Sequence, residues 1–201
     1  MADTKVHSNA DAGELRGDTA RLAALLGDAG LLSLAGEPAS VRSCGPVHDL
    51  PSLRAFLLTY RDEVLLPREL PWILQAWQCA QDYQPRELIT LDQQLAREPW
   101  LQELSIASRH VGRSQLRSLK PLRDLRVLKR YREAVEQGHA AGWHLIVYGL
   151  VLSAYSIPIR PGLLSYGLQT LNRFCESSAR SIPVSAADLE SLREELVEPL
   201  P

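Results

Sequence analysis

The sequence has few cysteines and no motif that would pair them. Among its 201 residues there are three, Cys44, Cys79 and Cys175, and no two of them form a C-x-x-C pair. A disulfide-stapled fold needs an even, closely spaced set, and structural zinc sites are usually built from paired cysteines. The sequence therefore excludes both scaffolds, and a reducing compartment is the expected setting.

The chain also lacks a long hydrophobic run and a targeting segment. Its most apolar stretch, residues 143–155, has thirteen residues and contains His144, whereas a helix that crosses a bilayer needs about twenty apolar residues. The first fifteen residues are polar and mildly acidic, without an apolar segment behind a basic start. We therefore expect a cytoplasmic protein without a membrane span.

The motifs of common catalytic sites are missing as well. The sequence contains no G-x-S-x-G turn, no Walker loop and no G-x-G-x-x-G turn. His139 and His144 are five residues apart, which places them on different faces of a helix, whereas a metal-binding pair needs a spacing of three or four. Carboxylates are scattered over polar helix faces rather than paired in apolar surroundings. We expect a protein that is not an enzyme and that builds no metal site by itself.

Helical periodicity is what the sequence does have. Apolar types make up 45% of the residues and charged types 23%, which is ordinary for a protein with a buried core. The alternation of period two that marks β-strands is missing. From Pro51 onward, apolar side chains recur every three or four residues, beginning with Leu53, Phe56, Leu57, Tyr60 and Val64. This pattern predicts an all-α protein.

The predicted organisation is a disordered tail over residues 1–13 and a single bundle-like domain of about eight or nine helices over residues 14–201. A first helix is expected over residues 18–26, followed by a loop rich in Gly, Pro and Ser over residues 27–50. Residues 143–155 are apolar nearly all round, which is typical of a central buried helix. Ser185 has Asp188 three residues later, and this pair resembles a capping box at the start of the last helix.

One segment carries an unusual charge. Between Arg109 and Arg132 the formal charge is +8, which leaves −10 for the rest of the chain because the whole carries −2. Its basic residues are Arg109, Arg113, Arg117, Lys120, Arg123, Arg126, Lys129, Arg130 and Arg132. The first three follow at intervals of four and form one ridge on a helix. The segment fits a solvated face, a docking surface for an acidic protein, or a nucleic-acid-binding surface, which the negative net charge disfavours.

Several short motifs occur in the order of a known family. Residues 107–113 read A-S-R-H-V-G-R, residues 143–149 read W-H-L-I-V-Y-G, and residues 180–183 read R-S-I-P. Between and before them, the family's L-x-x-L-D and L-x-Y helices are matched by Leu88, Leu91 and Asp92 and by Leu164 and Tyr166. Over roughly residues 50–190 the chain resembles the F-type urease accessory proteins (UreF), which implies an all-α fold.

The resemblance implies a scaffold, not a catalyst. Members of this family form homodimers, bind the D-type (H-type) accessory protein and recruit the G-type GTPase, so that GTP hydrolysis is coupled to nickel delivery into apo-urease. Nickel and GTP would be carried by those partners, and this chain would bind neither directly. The matched positions expected to contact partners are Arg109, Gly112, Arg113, His144, Tyr166, Arg180 and Pro183. For His144 and Tyr166 the alternative is a structural role, in which they satisfy hydrogen bonds in the core. Gly149 matches too, and we expect it to serve close helix packing.

The chain departs from the family pattern in two places. Family members open with a motif of the form L-P-x-G-x-[FY]-x-x-S-x-G-L-E, which has no counterpart here. After the closing proline, the family's Gly-Gln is replaced by Ser185-Ala186. The resemblance is therefore that of a divergent member of the family.

Overall fold

A computed structural model of the chain describes residues 47–102, 105–119, 125–179, 182–197 and 200. The predictions for the tail over residues 1–13, for a helix over residues 18–26 and for most of the loop after it lie outside this part of the chain. Within it, every regular element is a helix, which confirms the all-α prediction.

The described residues form nine α-helices and one π-helical segment. In chain order these are α1 (Leu50–Tyr60), the π-helix (Arg61–Glu69), α2 (Leu70–Gln81), α3 (Pro85–Leu95), α4 (Pro99–Gln102), α5 (Ser105–Ser118), α6 (Arg126–Glu136), α7 (His144–Ala154), α8 (Ile159–Ser178) and α9 (Ala186–Val197). The number agrees with the eight or nine expected. None of the helices in the described ranges has the length and apolar character that a bilayer crossing requires.

The first rod of the bundle runs without interruption from α1 through the π-helix into α2. It begins at a capping box, in which the Ser52 nitrogen donates to Asp49 Oδ1 at 2.9 Å and the Asp49 nitrogen donates to Ser52 Oγ at 3.1 Å. Apolar spacing predicts two ordinary helices here, and it does not predict the π-helix between them. Pro67 lies inside that segment. Because proline has no N–H for the preceding turn, a wider turn that shifts the hydrogen-bond register accommodates it.

The central helix of the bundle is α7, as residues 143–155 predict. Every residue from His144 to Leu152 is buried, and α7 packs most extensively against α2 and then against α5. Gly149 permits the close approach of α2 to α7. A Cβ atom there would lie 2.4 Å from the Ile73 carbonyl oxygen and 2.9 Å from the Trp77 nitrogen. The close-packing role expected of Gly149 is confirmed.

The last helix begins where the capping pair predicts. Ser185 Oγ accepts a hydrogen bond from the Asp188 nitrogen at 3.1 Å and donates to Asp188 Oδ2 at 2.6 Å. The helix that follows, α9, packs with α8 against α1, and Arg54 of α1 forms an ion pair with Glu195 of α9. The Ser185-Ala186 pair that replaces the family's Gly-Gln therefore builds a helix N-terminus.

Candidate functional site

Three of the segments that carry the family resemblance meet at the start of α7. The helix α3 contributes Asp92, α5 contributes residues 108–113, and the loop of residues 140–143 leads into α7. We call this meeting point, together with His144, the α7 junction. The hydrogen bonds that join its parts connect residues 28 to 51 positions apart in the chain.

Asp92 holds the junction together. Its buried carboxylate accepts hydrogen bonds from the Tyr131 hydroxyl (2.6 Å) and from the nitrogens of Ala141 (2.5 Å), Gly142 (3.1 Å) and Trp143 (3.2 Å). A helix start leaves N–H groups without partners, and Trp143 provides no side-chain cap for α7. Asp92, which lies on α3, instead accepts hydrogen bonds from the N–H groups of the three residues that precede α7. Burial raises the pKa of this carboxyl, and the hydrogen bonds from Tyr131 and Ala141 oppose the rise.

Two glycines allow α5 to approach the loop. A Cβ atom at Gly112 would lie 2.2 Å from the Gly142 carbonyl oxygen and 2.9 Å from the His144 nitrogen. Gly142 itself has a φ of 77°, which residues with a Cβ atom rarely adopt. The buried Ser108 hydroxyl accepts a hydrogen bond from the His144 nitrogen at 3.3 Å. Gly112 is thus required where two backbone segments touch.

Arg109 and Arg113 brace the same loop from outside. Arg113 Nε donates to the Ala141 carbonyl oxygen at 2.9 Å. The Arg109 guanidinium lies 5.8 Å from the centre of the Trp143 ring, and its Nε donates to the Ser105 carbonyl oxygen at 3.0 Å. Arg113 is exposed and Arg109 is half-buried. Both therefore lie where a partner can reach them.

His144 and Tyr166 lie in the core. Their ring centres are 6.0 Å apart, and Tyr148 packs edge-on against both, at 6.1 Å and 5.1 Å. All three side chains are fully buried, and His144 Nδ1 lies 3.3 Å from Gln115 Oε1. Contact of His144 and Tyr166 with a partner stays a prediction, and it would require the core to open.

The remaining predicted positions are Pro183 and Arg180. Pro183 is exposed in the loop before α9, and Arg180 lies outside the described residues. The basic segment is described in part. Its exposed members are Arg113, Arg117, Arg126, Lys129 and Arg130. Lys120 and Arg123 fall in a range that the structure does not describe.

A buried carboxyl that the sequence reasoning missed lies beside this aromatic cluster. Glu69, at the end of the π-helix, is 1% exposed, and its Oε2 accepts a hydrogen bond from the Tyr60 hydroxyl at 2.8 Å. Burial raises the pKa of Glu69 from its ordinary value of 4.5 to about 7, although the Tyr60 and Tyr166 hydroxyls lower it. The Tyr166 hydroxyl makes no hydrogen bond of normal geometry within the described part of the chain. Glu69 and Tyr60 are nine residues apart, and nothing in the sequence indicates that they form a hydrogen bond.

We expect Glu69 to make the stability of the protein depend on pH. A raised folded-state pKa means that the folded protein holds the proton more tightly than the unfolded chain, so stability falls as the pH rises from about 4.5 to about 7. Between about pH 5 and about pH 8 this residue should lower the free energy of unfolding by about 2 kcal/mol. Urea denaturation across this pH range, followed by circular dichroism, measures the effect.

The Glu69→Gln variant is the matched control, because an amide of the same shape can still accept the Tyr60 hydrogen bond and cannot titrate. The unfolding free energy of Glu69→Gln minus that of the parent protein should increase with pH, because only the parent carries the titrating Glu69. All other titrating groups are common to both proteins. A difference that stays constant between about pH 5 and about pH 8 would contradict the raised pKa.

Comparison with known proteins gives one match. The sequence model of the UreF family matches residues 47–196. No curated protein and no solved structure matches the chain significantly. The matched range includes the α7 junction, the buried aromatic cluster and nearly all of α9. Because the match covers well over half of the chain, this protein belongs to the UreF family of urease accessory proteins.

Proposed function

We propose that this chain is a non-catalytic scaffold for assembly of the nickel centre of urease. It acts in the cytoplasm as a homodimer, binds a D-type (H-type) accessory protein and a G-type GTPase, and regulates GTP hydrolysis within that complex. Apo-urease is reached through the complex. The family match over residues 47–196 carries the proposal.

In this scheme nickel is cargo and GTP is a ligand of the GTPase, so neither needs a resident site on this chain. Among the described residues, no group of three or more His, Cys, Asp or Glu side chains is placed to hold a metal ion. In this proposal the α7 junction has a structural role, which is to hold helices in position, and not a catalytic one. It fixes α5 against α7 from the inside and leaves Arg113 exposed on the outside, which is the arrangement that a scaffold needs to present a rigid face to partners.

Reconstitution from purified proteins tests the proposal. The full chain is mixed with the D-type accessory protein and the G-type GTPase of the same organism, with and without GTP and nickel. We expect co-elution of the three proteins in size-exclusion chromatography, two copies of this chain per complex by light scattering, and a GTP hydrolysis rate that differs from that of the GTPase alone.

Two controls make the result interpretable. The chain alone should hydrolyse no GTP, and a helical protein of similar size and charge should leave the GTPase rate unchanged. If the folded chain binds neither accessory protein at micromolar concentrations, the proposed function is wrong.

A further inference from the structure

The outward face of α5 carries cations that no carboxylate of the described residues neutralises. This helix contains three arginines and no acidic residue. In α6, the other described helix of the basic segment, Arg130 pairs with Glu133 and Arg132 pairs with Glu136. Arg126 and Lys129 of α6 are also exposed, but α5 is the described helix in which every cation of the basic segment lacks an ion pair with a described residue.

Two of these guanidinium groups are held in place by the fold. Arg109 Nε donates to the Ser105 carbonyl oxygen, and Arg113 Nε donates to the Ala141 carbonyl oxygen. Each bond uses the inner nitrogen and leaves the two outer nitrogens without an acceptor in the described ranges. A guanidinium that is already oriented loses less conformational freedom when it binds a carboxylate.

The cations lie along one stripe of the helix. An open groove on α5 is lined by Ile106, Arg109, His110, Arg113 and Arg117; we call these five residues the α5 stripe. Arginines four residues apart on a helix are separated by about 6 Å along its axis. An acidic helix with carboxylates four residues apart repeats at the same distance, so each of its carboxylates can meet one arginine.

An apolar side chain ends the stripe. Ile106 is 79% exposed and lies one turn before Arg109, on the same face as the cations. A segment that pairs with the arginines therefore covers Ile106 with its next turn. We therefore expect the partner residue that contacts Ile106 to be apolar.

We propose that the α5 stripe is the docking surface for an acidic helix of a protein partner, one that carries Asp or Glu residues four apart and an apolar residue one turn beyond them. The inference deepens the proposed function, and it rests on that function only for the expectation that protein partners exist. It assigns the surface that one of them uses.

Charge and composition favour a protein over a nucleic acid. The α5 stripe has no Phe, Tyr or Trp side chain on which a base could stack, and the His110 imidazole is its one aromatic ring. Outside the basic segment the chain carries a formal charge of −10, which repels a long polyanion but leaves a short acidic helix free to reach a local row of arginines. The phosphate groups that would pair with the arginines offer no apolar contact for Ile106.

The test is a titration of the full-length chain with synthetic probes. The first peptide is helical, with three glutamates at intervals of four residues and a leucine one turn beyond, and it carries a fluorophore for anisotropy. In the second peptide every glutamate is replaced by glutamine. The third probe is a DNA duplex of about 20 base pairs at the same ionic strength. We expect the glutamate peptide to bind, the glutamine peptide to bind at least about tenfold more weakly, and binding to weaken as salt increases.

Charge reversal then locates the site. Arg117→Glu should weaken the glutamate peptide about tenfold, because a like charge replaces a pairing charge. Arg97→Glu makes the same charge change at an exposed position outside α5 and should change affinity less than about twofold. Arg117 is exposed, and its side chain forms no hydrogen bond or ion pair with another described residue. Circular dichroism checks that each variant is folded.

Three results would overturn the inference: equal binding of the two peptides, equal effects of the two charge reversals, or duplex binding that depends on Arg117 when the glutamate peptide does not bind. No accessory protein is present in the titration. A failure of the proposed function in the reconstitution would therefore leave this result standing, and a failure here would leave the reconstitution standing.

Discussion

Replacing Asp92 with alanine is expected to lower the free energy of unfolding by about 4 kcal/mol. The substitution removes the acceptor of four hydrogen bonds, from the Tyr131 hydroxyl and from the nitrogens of Ala141, Gly142 and Trp143. A donor that stays buried without a partner costs about 1 to 3 kcal/mol. Several donors are orphaned at once, so the loss should exceed that of an ordinary surface mutation. Urea denaturation monitored by far-ultraviolet circular dichroism measures it.

Two further variants separate hydrogen bonding from charge. In Asp92→Asn, the amide oxygen can replace Oδ2, which accepts three of the four bonds, while the amide N–H₂ faces the Ala141 nitrogen. The expected loss is about 1 to 2 kcal/mol. Asp82→Ala removes a carboxylate at an exposed position at the end of α2 and should change stability by less than about 0.5 kcal/mol. If Asp92→Ala is no more destabilising than Asp82→Ala, Asp92 does not hold the junction.

The helices were predictable because each one carries its own signal. Leu53, Phe56, Leu57 and Tyr60 are spaced for one buried face, and all four are buried in α1. The stretch around Leu150 is apolar on every side, and the structure places it at the centre of the bundle. These patterns act over a few turns, so a single sequence is enough to read them.

For the α7 junction, the sequence predicted the separate motifs but not that they lie together. Asp92, Arg113 and His144 were each matched to a short family pattern, but nothing in the spacing indicated that they meet. Asp92 reaches the Trp143 nitrogen across 51 residues, and such a contact depends on the packing of whole helices. The partner of a buried side chain is set by tertiary structure, which local periodicity does not encode.

The π-helix shows the same limit in another form. Pro67 suggests a disturbance of the rod, yet a proline pattern alone does not say whether the helix ends, bends or widens. Here it widens, and Glu69 becomes buried next to Tyr60. A glutamate is rarely buried and therefore reads as a surface residue in the sequence, so the burial of Glu69 could be found only from the structure.

Close packing at the centre of the bundle leads to a second large effect. Gly149→Ala is expected to lower the free energy of unfolding by about 3 kcal/mol. The added methyl group would lie 2.4 Å from the Ile73 carbonyl oxygen, 2.8 Å from the Ala76 Cβ and 2.9 Å from the Trp77 nitrogen. Two of these atoms belong to the backbone of α2 and cannot rotate away, so α2 and α7 must separate. That cost outweighs the gain of about 1 kcal/mol that alanine brings over glycine within a helix.

The matched control is Gly167→Ala, a second glycine within a helix, α8. The three atoms nearest to a Cβ atom at Gly167 are all side-chain methyl groups, two of Leu200 at 3.1 Å and one of Leu65 at 3.6 Å. These contacts can adjust by small rotations, so the helix-propensity gain should leave this variant within about 1 kcal/mol of the parent protein, on the stable side. Urea denaturation of both variants at one pH gives the comparison. Equal stability of the two would mean that α2 and α7 do not touch backbone to backbone at Gly149, and the packing that places α5 and the α7 junction would have to be revised with it.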